Sequence, residues 1–157
     1  MTQVSFFHGA TDRLQAAARW VAAAHLQGTP VLIYVPEEEH AITMDRLLWT
    51  QTPLSFTPHC RADAKMAGET PVWIATQLEK MQAARQEKQI SLTTKDRVLV
   101  NLTNTLPDGF ADYAKIVEII SLQDAVRNPG RERFRFYRDN GCTIESHDLA
   151  KETSHPA

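Results

Sequence analysis

The chain has 157 residues, 43% of them hydrophobic and 23% charged, with a formal net charge of −2. That length suits one domain around one substantial core, and the composition excludes wholesale disorder. A protein that grips nucleic acid with its whole surface needs an excess of Lys and Arg, which is missing here.

The first apolar run, residues 4–7, ends at His8-Gly9 and suits a strand. Thr11 then offers a capping hydroxyl for a helix over residues 12–27. That stretch is rich in alanine, with Leu14, Ala17, Ala18, Val21 and Ala24 at helical spacing and Gly28 as its stop. VLIYV at 31–35 is a continuous β-branched and aromatic run, as in a strand buried on both faces. Pro36 and three glutamates open a second helix running to Trp49, because carboxylates favour the positive end of the helix dipole.

A proline-punctuated loop, QTPLSFTPHC, follows. PVWIA at 71–75 and VLVNL at 98–102 read as strands, and KIVEII at 115–120 as another. Between the first two, residues 77–96 form a polar excursion, either mobile or holding a short exposed helix over 78–88. Asp124 or Asn128 caps a last helix that ends near Asn140-Gly141, and 142–146 adds an edge strand. The expected architecture is a single α/β domain over 1–146, a layer sandwich on a mostly parallel sheet, followed by a polar tail at 147–157.

Motifs for chemistry are scarce. The turn FFHGATDR after the first strand has one glycine, and the chain contains neither GxGxxG nor GxxxxGK[ST]. A small nucleotide- or phosphate-binding protein using that turn is the alternative functional reading, since a helix N-terminus holds anions without those motifs. No histidine pair has a metal-binding HxH or HExxH spacing, no serine sits in a GxSxG elbow, and His59-Cys60 lacks a third orienting group. The two cysteines, Cys60 and Cys142, make no CxxC pair, so a reducing cytoplasm is the simplest setting. The N-terminus reads as no signal peptide, and no apolar run approaches the roughly 20 residues that span a bilayer. No enzymatic activity, cofactor, metal or membrane contact is therefore expected.

One distribution stands out. Five of the 11 arginines fall within 12 residues: Arg127, Arg131, Arg133, Arg135 and Arg138. At about 100° per residue, Arg131, Phe134, Arg135 and Arg138 share one helix face, while Val126, Phe136 and Tyr137 point towards the core. Guanidinium forks around an aromatic ring suit an acidic peptide with an apolar, carboxylate-terminated end. The competing readings are a solvated face neutralised by Glu132 and other carboxylates, and a site for nucleic-acid phosphate, against which the net acidic charge counts.

The blocks ARWVAAAHLQGTPVLIYVPEEEHAITMDRLLW, SFTPH and RERFRFYRDNGCTI, in that order, resemble the chi subunit family of bacterial DNA polymerase III. The resemblance implies a Rossmann-like fold without nucleotide chemistry, and a non-catalytic adaptor in the polymerase complex. That adaptor would join the clamp loader, through the psi subunit, to the C-terminal tail of single-stranded DNA-binding protein. In some members a repair helicase would occupy the same site, and direct nucleic-acid binding is not implied. By motif position, Arg131 would capture the tail's terminal carboxylate, Phe134 would line the pocket for its last Phe, and Arg127, Arg135 and Arg138 would attract upstream aspartates. Psi would dock around Trp49, Phe56 and Pro58, where the bland reading is aromatic residues closing the core. Pro129-Gly130 departs from the pattern and is expected to break or start the last helix.

Overall fold

A computed structural model describes residues 2–50, 58–61, 72–76, 97–107 and 109–149. Seven strands form one sheet: β1 (Gln3–Ala10), β2 (Val31–Tyr34), β3 (His59–Arg61), β4 (Val72–Ala75), β5 (Val98–Asn101), β6 (Lys115–Ser121) and β7 (Thr143–Asp148). Their order is β3-β4-β2-β5-β6-β1-β7, and every described pairing is parallel. Parallel neighbours require crossovers, and helices α1 (Arg13–Leu26), α2 (Glu38–Thr50) and α3 (Asp124–Asp139) supply three of them. The result is an α/β layer sandwich of Rossmann-like form, as the alternation of strands and helices implies.

Both faces of the sheet are covered. Ala17, Ala18, Val21 and Ala24 of α1, with Ala41, Met44 and Leu48 of α2, pack on Val31, Ile33, Val100, Val117 and Ile119. On the opposite face Val4, Phe6, Leu32, Trp73, Leu99, Ile116 and Ile120 meet Tyr137 of α3 and Tyr113. This explains why β2 is apolar at consecutive positions: Leu32 faces one layer, and Val31 and Ile33 the other.

Several boundaries differ from the sequence expectation. Asp12, not Thr11, caps α1, accepting the Gln15 N–H at 3.1 Å. β1 continues past His8 through a bulge in which His8 and Gly9 stand opposite Ile120, and Gly9 at φ +79° meets the left-handed backbone there. β3 lies inside the stretch expected to be loop. Three residues without an apolar run carry no strand signature, and only pairing with β4 defines them. β7 runs to Asp148, beyond Ser146 and into the stretch assigned to the tail, with the His147 ring stacked 4.8 Å from Phe7.

The last helix is neither broken nor started at Pro129-Gly130. It begins at Asp124 after the N-cap Gln123, so neither Asp124 nor Asn128 is its cap, and Pro129 lies inside it. Proline removes one i→i−4 bond there, but side chains tie the helix to the sheet beyond that point. Gly130 belongs to this docking: a Cβ on it would lie 2.8 Å from Ile120 Cδ1, so the missing side chain lets α3 approach β6.

Candidate functional site

Helix α3 carries its arginines in two opposite environments. Gly130, Arg133 and Tyr137 are buried at i, i+3 and i+7. Arg133 is only 3% exposed and forms a fork on the fully buried Glu118 of β6, donating Nε to Oε2 at 3.0 Å and Nη2 to Oε1 at 3.1 Å. The Tyr137 hydroxyl donates to the same carboxylate at 2.9 Å, and the Asn101 amide donates at 3.1–3.2 Å. Glu118 is thereby satisfied on both oxygens. Burial, then the charge of Glu118, raises the Tyr137 pKa well above its ordinary value, so the phenol stays protonated.

The other face is a groove of about 330 Å³ between α3 and the β1–β7 end of the sheet. Arg127, Arg131, Arg135 and Arg138 line it from the helix, with Phe134 and Phe6 between them at a ring separation of 5.2 Å. All five α3 residues picked from sequence are thus brought together. Arg131 and Arg135 are exposed and have no ion pair or hydrogen bond among the described residues. Arg127 bonds Asp124 and Arg138 lies 3.5 Å from Asp139, both through exposed carboxylates. Among the lining residues there is no Asp or Glu, and Glu132 makes no ion pair among the described residues. Cations, an aromatic floor and no carboxylate give the groove a chemistry complementary to an acidic chain with an apolar side group.

Sequence reasoning missed His8 and Ser146, which form the sheet side of this groove. The bulge turns His8 into it, and no local pattern foretells a bulge. Arg133 and Glu118 did leave a signal. A lone carboxylate within KIVEII needs a buried partner, and Arg133 sits out of phase with Arg131 and Arg135.

The second predicted surface is described in part. Trp49 is 58% exposed at the end of α2, so it does not close the core. Its ring lies 5.8 Å from His59, whose Nε2 is 2.8 Å from Asp45 Oδ1. Ile42, half exposed, stands seven residues before Trp49 on the same helix face. Pro58 is partly buried beside this region, and Phe56 and residues 77–96 lie outside the described residues.

Val126 is partly buried, while Phe136 stays 37% exposed against Phe110 rather than in the core. Among the described residues no three His, Cys, Asp or Glu side chains converge as a metal site, and no helix is long and apolar enough to cross a membrane.

The profile of one protein family, described as DNA polymerase III chi subunit, HolC, matches residues 1–145. Curated relatives named DNA polymerase III subunit chi agree with it. The Pseudomonas aeruginosa protein is 28% identical over 155 residues, covering 96% of this chain and 99% of that protein. The Escherichia coli K12 protein is 28% identical over 131 residues, covering 83% and 78%. The Haemophilus influenzae protein is 25% identical over 135 residues, covering 86% of each.

Proposed function

Because the chain belongs to the DNA polymerase III chi subunit family, a family of replication subunits, we propose that it is a non-catalytic adaptor holding the acidic C-terminal tail of single-stranded DNA-binding protein. The observation that carries this reading is the groove on α3, in which four guanidinium groups surround two aromatic rings without a carboxylate among the lining residues. A tail of aspartates ending in Phe matches it group for group: the terminal carboxylate on Arg131, its ring on Phe134, and the upstream acids on Arg127, Arg135 and Arg138. Nucleic-acid phosphate fits less well, because the apolar floor would go unused and the net charge is −2.

The psi subunit, leading to the clamp loader, docks in this reading on the face that carries Ile42 and Trp49. An indole 58% exposed is an anchor of the kind that protein interfaces bury. A repair helicase competes with psi for that face. Both contacts place the protein in the cytoplasm beside the replisome.

Calorimetric titration with an acidic, Phe-terminated peptide tests the groove. Arg131→Ala is expected to lose about 1.5–3 kcal/mol of affinity, the worth of a charged hydrogen bond. Undiminished binding by that variant would remove the assignment. For the second surface, Trp49→Ala is expected to abolish co-purification with psi while leaving peptide affinity untouched. Retained psi binding would place that partner elsewhere.

A further inference from the structure

We propose that His8 is a fifth recognition group of the α3 groove, taking a carboxylate of the acidic peptide from the sheet side in its charged form. This rests on the groove reading above, and adds to it a residue outside the helix and a dependence on pH.

His8 follows Phe6 by two residues on β1, and both line the groove together with Ile120 of β6 and Ser146 of β7. Side chains two apart on a strand share a face and stand roughly 7 Å apart along it. The Phe6 ring meets Phe134 at 5.2 Å, which places that pair at one level. Helix α3 starts just beyond the end of β6 and runs back to reach β7, parallel to β1, so its earlier residues lie nearer the strand ends. Along the axis Arg131 is then about 4.5 Å beyond Phe134 and Arg127 about 10 Å beyond it. His8 falls between those two levels, on the opposite wall.

Neither ring nitrogen of His8 is committed within the fold. His40, His59 and His147 have a carboxylate at 3.4, 2.8 and 3.7 Å respectively. His8 is exposed and has no ion pair, hydrogen bond or ring contact among the described residues.

The groups that share the groove with it are cationic or neutral: Arg127, Arg131, Arg135 and Arg138 from α3, Ile120 from β6 and Ser146 from β7. The nearby acids are engaged elsewhere. Glu118 is sealed under Arg133 and Tyr137, and Asp124 holds Arg127. Glu145 lies by His147, whose ring stacks on Phe7 at the other face of the sheet. Asp148, the register partner of His8 on β7, is outside the lining and is itself engaged. The carboxylate for His8 therefore comes from the ligand, at the Arg127–Arg131 end of the groove.

Imidazole changes charge between about pH 5 and 8, whereas aspartates and chain-terminal carboxylates stay ionised there and guanidinium groups stay charged. A carboxylate beside an imidazole favours the charged ring, so the peptide brings a proton with it as it binds. Affinity then rises as pH falls through that window.

The test is calorimetric titration of the full chain with an acidic, Phe-terminated peptide at pH 8 and pH 6. Wild type is expected to bind about threefold to fivefold tighter at pH 6, the worth of one exposed charge pair. His8→Gln keeps a polar side chain that does not titrate, and equal affinity at both pH values with an unchanged melting temperature is expected. His8→Lys carries a fixed charge and is expected to hold the wild-type pH 6 affinity at both. Titration in buffers of different ionisation enthalpy is expected to show proton uptake by wild type and none by either variant. Equal wild-type affinity at the two pH values, or the same pH dependence in His8→Gln, overturns the role of His8 and leaves the groove assignment standing. A wild type that binds no peptide at either pH overturns both.

Discussion

The two faces of α3 use one residue type in opposite ways. Arg133 gives up water entirely, and the loss is offset because Glu118, Tyr137 and Asn101 assemble one hydrogen-bonded unit around a single carboxylate. Arg131 and Arg135, two residues to either side, keep their solvent and have no internal partner. A guanidinium whose Nε and Nη2 are held by a buried carboxylate is committed to the fold, whereas one held at the rim of an apolar groove is open to an incoming carboxylate. The buried arginine fixes the rotation of the helix, and that rotation presents the others as a set.

Substitution at the buried site gives the largest expected effect. Arg133→Met leaves the Glu118 charge without its cation and is expected to cost about 3–5 kcal/mol of stability in urea unfolding. An unchanged midpoint would mean that Arg133 is not an anchor. The exposed side reverses the pattern. Arg131→Ala is expected to shift stability by less than about 0.5 kcal/mol and to remove most of the peptide affinity. A folding defect as large as that of Arg133→Met would erase the distinction between the faces.

A third comparison uses pH. The Tyr137 phenol has a folded pKa above its ordinary value of 10, so its contribution is complete below pH 10 and is lost as pH rises beyond it. Arg13, lowered to about 10, acts in the opposite sense over the same range, so the informative measurement is wild type against Tyr137→Phe. The variant is expected to show the shallower fall in stability above pH 10, and identical slopes would count against the buried unit. The smallest effect belongs to Arg138→Ala. Its guanidinium is 62% exposed beside Asp139, and a peptide-affinity loss of up to about 1 kcal/mol, shrinking with added salt, is expected.

Much of this was legible in the residues. The strands VLIY, VWIA and KIVEIIS declare themselves because parallel strands buried on both faces need continuous apolar runs. The alanine spacing of α1 gave its buried face directly. The site face on α3 was legible as well, since Arg131, Phe134, Arg135 and Arg138 share it by helical geometry alone. Pro129 misled, because local propensity argues for a helix boundary. The anchoring of Arg133 and Tyr137 on Glu118 overrides that preference with contacts 15 and 19 residues distant.

By itself the sequence determined the layered α/β plan, the membership of the last helix's basic face and the absence of a phosphate loop, because each depends on periodicity or on residues near one another in the chain. The tertiary structure alone decided that β3 is a strand, that His8 and Ser146 close the groove, and that Arg13 and Ser121 face one cavity. Those outcomes depend on strand pairing, strand order and a bulge in β1, which bring together residues 13 positions apart for β3 and more than 100 apart for the other two, beyond the reach of any local pattern.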